Sequence, residues 1–165
     1  MILDPEILLQ YTAQLDVMSL LAIISFFVLL LCSALISGTE VAFFSLSKTD
    51  IIKISDETKG QNPVVLLLQN PSKLLATILI TNNFINILLV LIFASLGEVF
   101  LKDQNLSLTI LGFILPSSLV KFSIEVLLVT FFILLFGEVL PKVYASRRAL
   151  KFCNLMSRPL QFLTF

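Results

Sequence analysis

Ser25-Phe26-Phe27-Val28-Leu29-Leu30-Leu31-Cys32-Ser33-Ala34-Leu35-Ile36-Ser37-Gly38-Thr39-Glu40 is the stretch that decides the fold. It lies inside an apolar run over about residues 18–46 that carries no Lys, Arg or Asp and meets its first acidic residue only at Glu40. A helix needs about 20 predominantly apolar residues to cross the hydrocarbon core, and this run exceeds that. Two further stretches, about 74–100 and 117–141, have the same character. Across 165 residues, 58% are hydrophobic, 13% are charged and the mean hydropathy is +1.03. Soluble domains sit near 45–50% apolar and 25% charged, so the chain reads as an integral membrane protein. Runs such as Phe26–Leu31 and Ile87–Phe93 do not alternate as barrel strands must, which makes the predicted class all-α with three transmembrane helices.

Orientation follows from the basic residues, because short loops rich in Lys and Arg stay on the cytoplasmic side. Lys48, Lys53, Lys59 and Lys73 lie between the first two spans, and Lys142, Arg147, Arg148, Lys151 and Arg158 follow the third. The amino-terminal segment has no basic residue, and the connection 101–116 has only Lys102. The amino terminus is therefore predicted outside and the carboxyl terminus inside. The first apolar run is too long for a signal-peptide core, so it is expected to be retained.

The residues missing from the chain narrow its chemistry. There is no His, and Cys32 and Cys153 lie in different environments, so neither a disulfide nor a zinc, copper or iron–sulfur site is expected. The basic residues flank spans as topology requires, and no nucleic-acid patch is expected. Without a nucleophile–base pair or a cofactor motif, enzymatic activity is not expected either.

Between the first two spans, Ile51, Ile52 and Ile54 interleave with Lys48, Asp50, Lys53 and Asp56, and the run Val64–Leu68 follows Pro63. Two short amphipathic helices are predicted there, with Asn70 and Pro71 turning into the second span and Ser72 as its N-cap. The mixed segment 142–158 is predicted to be a cytoplasmic juxtamembrane amphipathic helix that skirts the membrane, ended or kinked at Pro159. The chain then stops in the apolar stretch Leu160–Phe165, as an excised membrane domain would. The whole of 1–165 reads as one domain.

Each span also carries a small group of polar residues, which is costly in lipid and so raises a functional-site hypothesis. Ser33, Ser37 and Glu40 are four and three residues apart and share one helical stripe; Asn82, Asn83 and Asn86 form the second group; Gly137, Glu138 and Pro141 form the third. Ser37 and Asn83 both fall roughly 15 Å from the cytoplasmic ends of their helices. Pro141 has no N–H, so the carbonyl of Gly137, four residues earlier, loses its helical partner. Hydroxyls, amide oxygens, a carbonyl and one carboxylate make an all-oxygen set suited to a hard cation such as Mg²⁺, Ca²⁺ or Na⁺. Blander readings compete: small serines for helix packing, asparagines as interhelical glue, and Glu138 paired with Lys142 four residues on.

At these same residues the chain resembles the membrane domain of the CorC/CNNM family of magnesium transporters. The resemblance rests on Ser33-Ala-Leu-Ile-Ser37-Gly38-Thr39-Glu40 continuing through Ser47, on Asn70-Pro71, on Asn82-Asn83 with Asn86, and on Phe136-Gly137-Glu138-Val139-Leu140-Pro141-Lys142. It implies a homodimer, each subunit with three transmembrane helices and a belt-like juxtamembrane helix, binding a largely dehydrated Mg²⁺ between the spans. Ser33, Ser37, Asn83, Asn86, the Gly137 carbonyl and Glu138 would then neighbour the ion, with Glu40, Asn82 and Pro141 in support. It further implies Mg²⁺ efflux, with Na⁺ as an optional coupling ion, in a bacterial inner (plasma) membrane; the alternative is a non-transporting Mg²⁺ sensor or scaffold. Family members usually add cytosolic CBS domains that bind adenine nucleotide. Nothing in these residues encodes them, so no nucleotide is predicted for this chain.

Overall fold

The computed structural model describes residues 5–57, 61–100, 108–110 and 113–164, with side chains described from Val17 onward except at 57, 98–100, 108–110 and 113–115. Asp4, Lys59 and Lys102 lie outside the described residues. In chain order the elements are α1 (Pro5–Phe44), α2 (Lys48–Glu57), α3 (Pro63–Leu68), α4 (Pro71–Phe100), a short antiparallel pair β1 (Leu108–Ile110) and β2 (Phe113–Leu115), α5 (Ser117–Phe132), a π-helical segment (Ile133–Val139), α6 (Leu140–Arg147) and α7 (Ala149–Thr164). Apart from that strand pair, in the stretch read as a plain connection, the described residues are helical between turns. Among the described residues, three helices are long and apolar enough to cross a membrane: Val17–Phe44, Pro71–Gly97 and Ser117–Arg147.

The short helices start where local chemistry satisfies their first amides. Ser47 Oγ accepts from the Asp50 amide at 3.1 Å, while the Asp50 carboxylate accepts from the Ser47 amide at 3.2 Å and its hydroxyl at 2.6 Å, a reciprocal cap for α2. Those bonds hold the Asp50 carboxyl below its ordinary value. Asn62 caps α3 through its side chain, which accepts from Val64 N at 2.9 Å. α4 begins two residues earlier than expected. Pro71 opens it and the Asn70 carbonyl accepts from Leu74 N at 3.0 Å, so Asn70 holds the cap position and Ser72 falls in the first turn.

The third spanning helix corrects the sequence reading at its end. It runs past Pro141 to Arg147 because Pro141 lies in the first turn of α6, where a missing N–H is tolerated. The break falls instead at Arg148, whose φ of −136° and ψ of 42° leave helical geometry. The juxtamembrane helix therefore starts at Ala149 rather than 142, and it continues through Pro159 to Thr164. Pro159 removes one amide, and the carbonyl it deprives belongs to the exposed Leu155, on the face away from the packed stripe.

The chain divides into two compact units. In one, the described residues up to Leu29 join those of Leu88–Phe131, and the Phe26 ring packs tilted against Phe93 at 5.5 Å between centroids. In the other, Leu30–Ile87 joins the described residues of Phe132–Phe165 around a core that includes Phe43, Val64, Leu74, Ile78, Ala145, Phe152 and Leu160. There α7 packs on α3 through a stripe four residues apart, Phe152 and Cys153, Met156 and Ser157, then Leu160, with Lys151, Asn154 and Arg158 left exposed. Phe152 also sets how closely α7 meets α1: a Cβ on Gly38 would stand 2.7 Å from the tip of its ring, so any larger residue there would have to displace the ring. Large exposed apolar side chains along the spans, such as Ile80, Phe84 and Leu127, suit a lipid surround.

A candidate ion site between three spans

Within the second unit, the three polar groups meet. Ser33 is fully buried on α1 and donates to Asn86 Oδ1 on α4 at 2.9 Å, with Asn82 Oδ1 at 3.4 Å. Asn86 Nδ2 in turn donates to Glu138 Oε1 on the π segment at 3.3 Å. Ser33, Asn82 and Gly137 each lie about 15 Å from the helix ends at Phe44, Pro71 and Arg147, which puts the cluster near mid-membrane.

Helix periodicity explains which faces converge. On α4 the buried residues Leu74, Ile78, Ile85 and Leu89 run in one stripe, and Asn82 and Asn86 continue it at spacings of four. Asn83 is turned about 100° away. It is exposed and makes no hydrogen bond among the described residues, so the structure draws Asn82 into the cluster where the resemblance had placed Asn83.

The third span approaches closely because position 137 has no side chain. A Cβ on Gly137 would stand 3.0 Å from Ser33 Oγ, so glycine brings the backbone of the π segment against α1. That segment was not legible in the sequence. Its closing bond runs from Leu140 N to the Leu135 carbonyl, five residues back. In this register, Pro141 withholds a donor from the carbonyl of Phe136, five residues back, as well as from that of Gly137, four back. π segments are frequent at functional sites because they re-aim backbone groups.

Two side chains complete the picture. Ser37, one turn along α1 from Ser33, is 1% exposed, and its Oγ has no hydrogen-bond partner. Such an orphan is uncommon, since buried polar atoms are nearly always paired. Glu40 is half-buried and lies 3.1 Å from Lys142 Nζ. Lys142 thus pairs across helices with Glu40 and not with Glu138, its neighbour four residues earlier, which leaves Glu138 facing the amides. Among the described residues no three His, Cys, Asp or Glu side chains cluster. A cation here would meet one carboxylate and several neutral oxygens.

The family model for the cyclin M (CNNM) transmembrane N-terminal domain matches residues 23–165, nearly the whole chain. The chain belongs to the CNNM family. A UPF0053 protein of Haemophilus influenzae is 32% identical over 130 residues, covering 76% of this chain and 27% of that protein. A UPF0053 protein of Synechocystis sp. is 28% identical over 142 residues, covering 84% of this chain and 36% of that protein. This CNNM domain therefore spans only 27% and 36% of the length of these relatives. The matched region contains every residue of the polar cluster.

Proposed function

We propose that this CNNM domain moves Mg²⁺ across the membrane as its substrate, through the cluster formed by Ser33, Ser37, Asn82, Asn86, Glu138 and the carbonyl region at Gly137. The observation that carries this reading is the buried, unpartnered hydroxyl of Ser37, one turn along α1 from the Ser33 hydroxyl, which bonds the Asn86 amide of α4 and through it meets the Glu138 carboxylate of the third span. A permanent structural network would satisfy that hydroxyl; a site that exchanges its occupant leaves an acceptor open. All the donors are oxygens, which suits a hard cation that has shed water, and Glu138 supplies the compensating charge. The Glu40–Lys142 pair supports the same reading, since it keeps the ammonium away from Glu138.

The proposal includes efflux, with the carboxyl-terminal side in the cytoplasm, Na⁺ as an optional coupling ion, and a plasma-membrane location in keeping with the bacterial relatives. It also includes a homodimer. The exposed amide of Asn83 in a spanning helix supports that, because such a group needs water or a partner chain. Titration calorimetry on the purified domain should show Mg²⁺ binding that Glu138→Gln removes, and unchanged affinity in that variant would overturn the site. Flux into proteoliposomes carrying this chain alone tests transport: binding without flux would turn the reading into a Mg²⁺ sensor.

A further inference from the structure

Away from the ion cluster, an open cavity of about 380 Å³ lies where α1 ends, α2 begins and α6 breaks into α7; Ser45, Asp50, Ser146, Arg147, Arg148 and Lys151 line it with the opening residues of α7. We infer that this cavity is a binding site for the phosphodiester headgroup of an anionic phospholipid. The first ground is charge. Among the described residues, Arg147, Arg148 and Lys151 have no carboxylate within ion-pair distance, while Lys142 is taken by Glu40. Asp50, the single acid in the cavity, is committed to the Ser47 amide and hydroxyl. Three cations facing one engaged carboxylate leave a net positive site that suits a singly charged phosphodiester.

The second ground is depth. The spanning segments end at Phe44 and Arg147, and the cavity is built from the residues that follow immediately, Ser45 on one side and Arg148 with the start of α7 on the other. Helix ends of this kind sit at the level of lipid phosphates, where each Lys or Arg adds about 1 kcal/mol of attraction to an anionic leaflet. The third ground is geometry. The guanidinium of Arg148 lies over the Tyr144 ring, 5.8 Å from its centroid, a cation–π contact that uses no N–H, so its donors stay available for paired bonds to phosphate oxygens. The Arg148 carbonyl accepts from Phe152 N at 3.1 Å, so the amides between them open α7 without acceptors inside the helix and add donors on the same side.

Native mass spectrometry of the chain released from detergent, with phosphatidylglycerol as probe, tests the site. Arg147→Gln with Arg148→Gln should lower retained phosphatidylglycerol at least about tenfold. Lys53→Gln with Arg158→Gln, which removes the same charge from exposed positions outside the cavity, should change it less than about twofold. Should the first variant lose helical content, Arg147→Lys with Arg148→Lys keeps the charge and removes only the fork; an intermediate loss supports the site, and no loss in this variant overturns it. Equal losses in the two Gln pairs would reduce the effect to diffuse surface charge and overturn the site. Equal retention of phosphatidylcholine, or displacement of phosphatidylglycerol by millimolar inorganic phosphate, would also overturn a lipid-headgroup assignment. These readouts do not depend on Mg²⁺, so they stand or fall apart from the ion site.

Discussion

Ser37→Ala separates an exchangeable ion site from an ordinary packing interface, because the two predict opposite signs. The Ser37 hydroxyl is buried without a partner, and leaving such a group unsatisfied costs about 1–3 kcal/mol. Polar contacts between spanning helices average about 0.6 kcal/mol, which favours the lower end of that range. Removing the hydroxyl also gains about 0.5 kcal/mol of helix propensity. The ion-free variant should therefore be more stable than the parent by about 1 kcal/mol, a rise in Tm of about 2–4 °C. Mg²⁺ removes the difference. If the hydroxyl is one of the ion's oxygens, its loss should weaken binding about tenfold, or about 1.4 kcal/mol. At a Mg²⁺ concentration one hundred times the parent Kd, the parent gains about 2.7 kcal/mol of stability and the variant about 1.4 kcal/mol, which erases the variant's advantage. The assay is thermal unfolding in detergent across a Mg²⁺ series. Ser33→Ala serves as contrast, since it deletes the 2.9 Å bond to Asn86 and should lower ion-free stability. A Ser37→Ala protein that melts lower without Mg²⁺, or that gains as much from Mg²⁺ as the parent, would refute the reasoning.

Two further sites, Gly137 and Cys153, give testable outcomes. Gly137→Ala places a methyl 3.0 Å from Ser33 Oγ, so Ser33 must shift and its bond to Asn86 must lengthen; overpacking of about 1–3 kcal/mol set against about 1 kcal/mol of regained helix propensity leaves a net loss of up to about 2 kcal/mol. Mg²⁺ titration of that variant should show weakened binding, and full affinity would show that the close approach of the two helices does not shape the site. Burial on α7 pushes the Cys153 thiol up to about 12 from its ordinary 9.0, so at pH 8 it should react with a maleimide far more slowly in the folded domain than after unfolding. Because the unfolded thiol ionises first, folded stability should decline as pH rises from about 9 toward 12, and a Cys153→Ser protein should lack that component; an identical alkaline profile would contradict the burial argument.

The three spans, the two short helices before Asn70 and the amphipathic α7 were legible in the sequence. Each depends on local hydropathy and on a period of 3.6 that any window of the chain displays. The polar groups were legible as well, since Ser, Asn and Glu stand out against residues such as Leu30, Ile85 and Leu135. Helix ends were less so. In sequence the third span reads as closing at about Pro141 and the juxtamembrane helix as ended or kinked at Pro159, yet one proline sits in a first turn and the other deprives only an outward carbonyl, so both helices continue. The break came instead at Arg148, which carries no sequence signal for it.

Sequence by itself determined what crosses the membrane, because the cost of burying backbone and charge in hydrocarbon acts residue by residue. Only the tertiary structure decided what the crossing helices present to one another. Asn82 and Asn83 are chemically identical and adjacent, and the rotation of α4, set by packing of Leu74, Ile78 and Leu89, puts the first beside Ser33 and leaves the second exposed. Lys142 had two carboxylates within reach of its long side chain, and the path of α1 beside α6 gave it Glu40. The π segment brought Gly137 against Ser33 and turned Glu138 toward Asn86 through a change of hydrogen-bond register that no local window encodes. Depth is a local property of a chain in lipid, whereas rotation and register are settled by contacts between residues far apart in sequence.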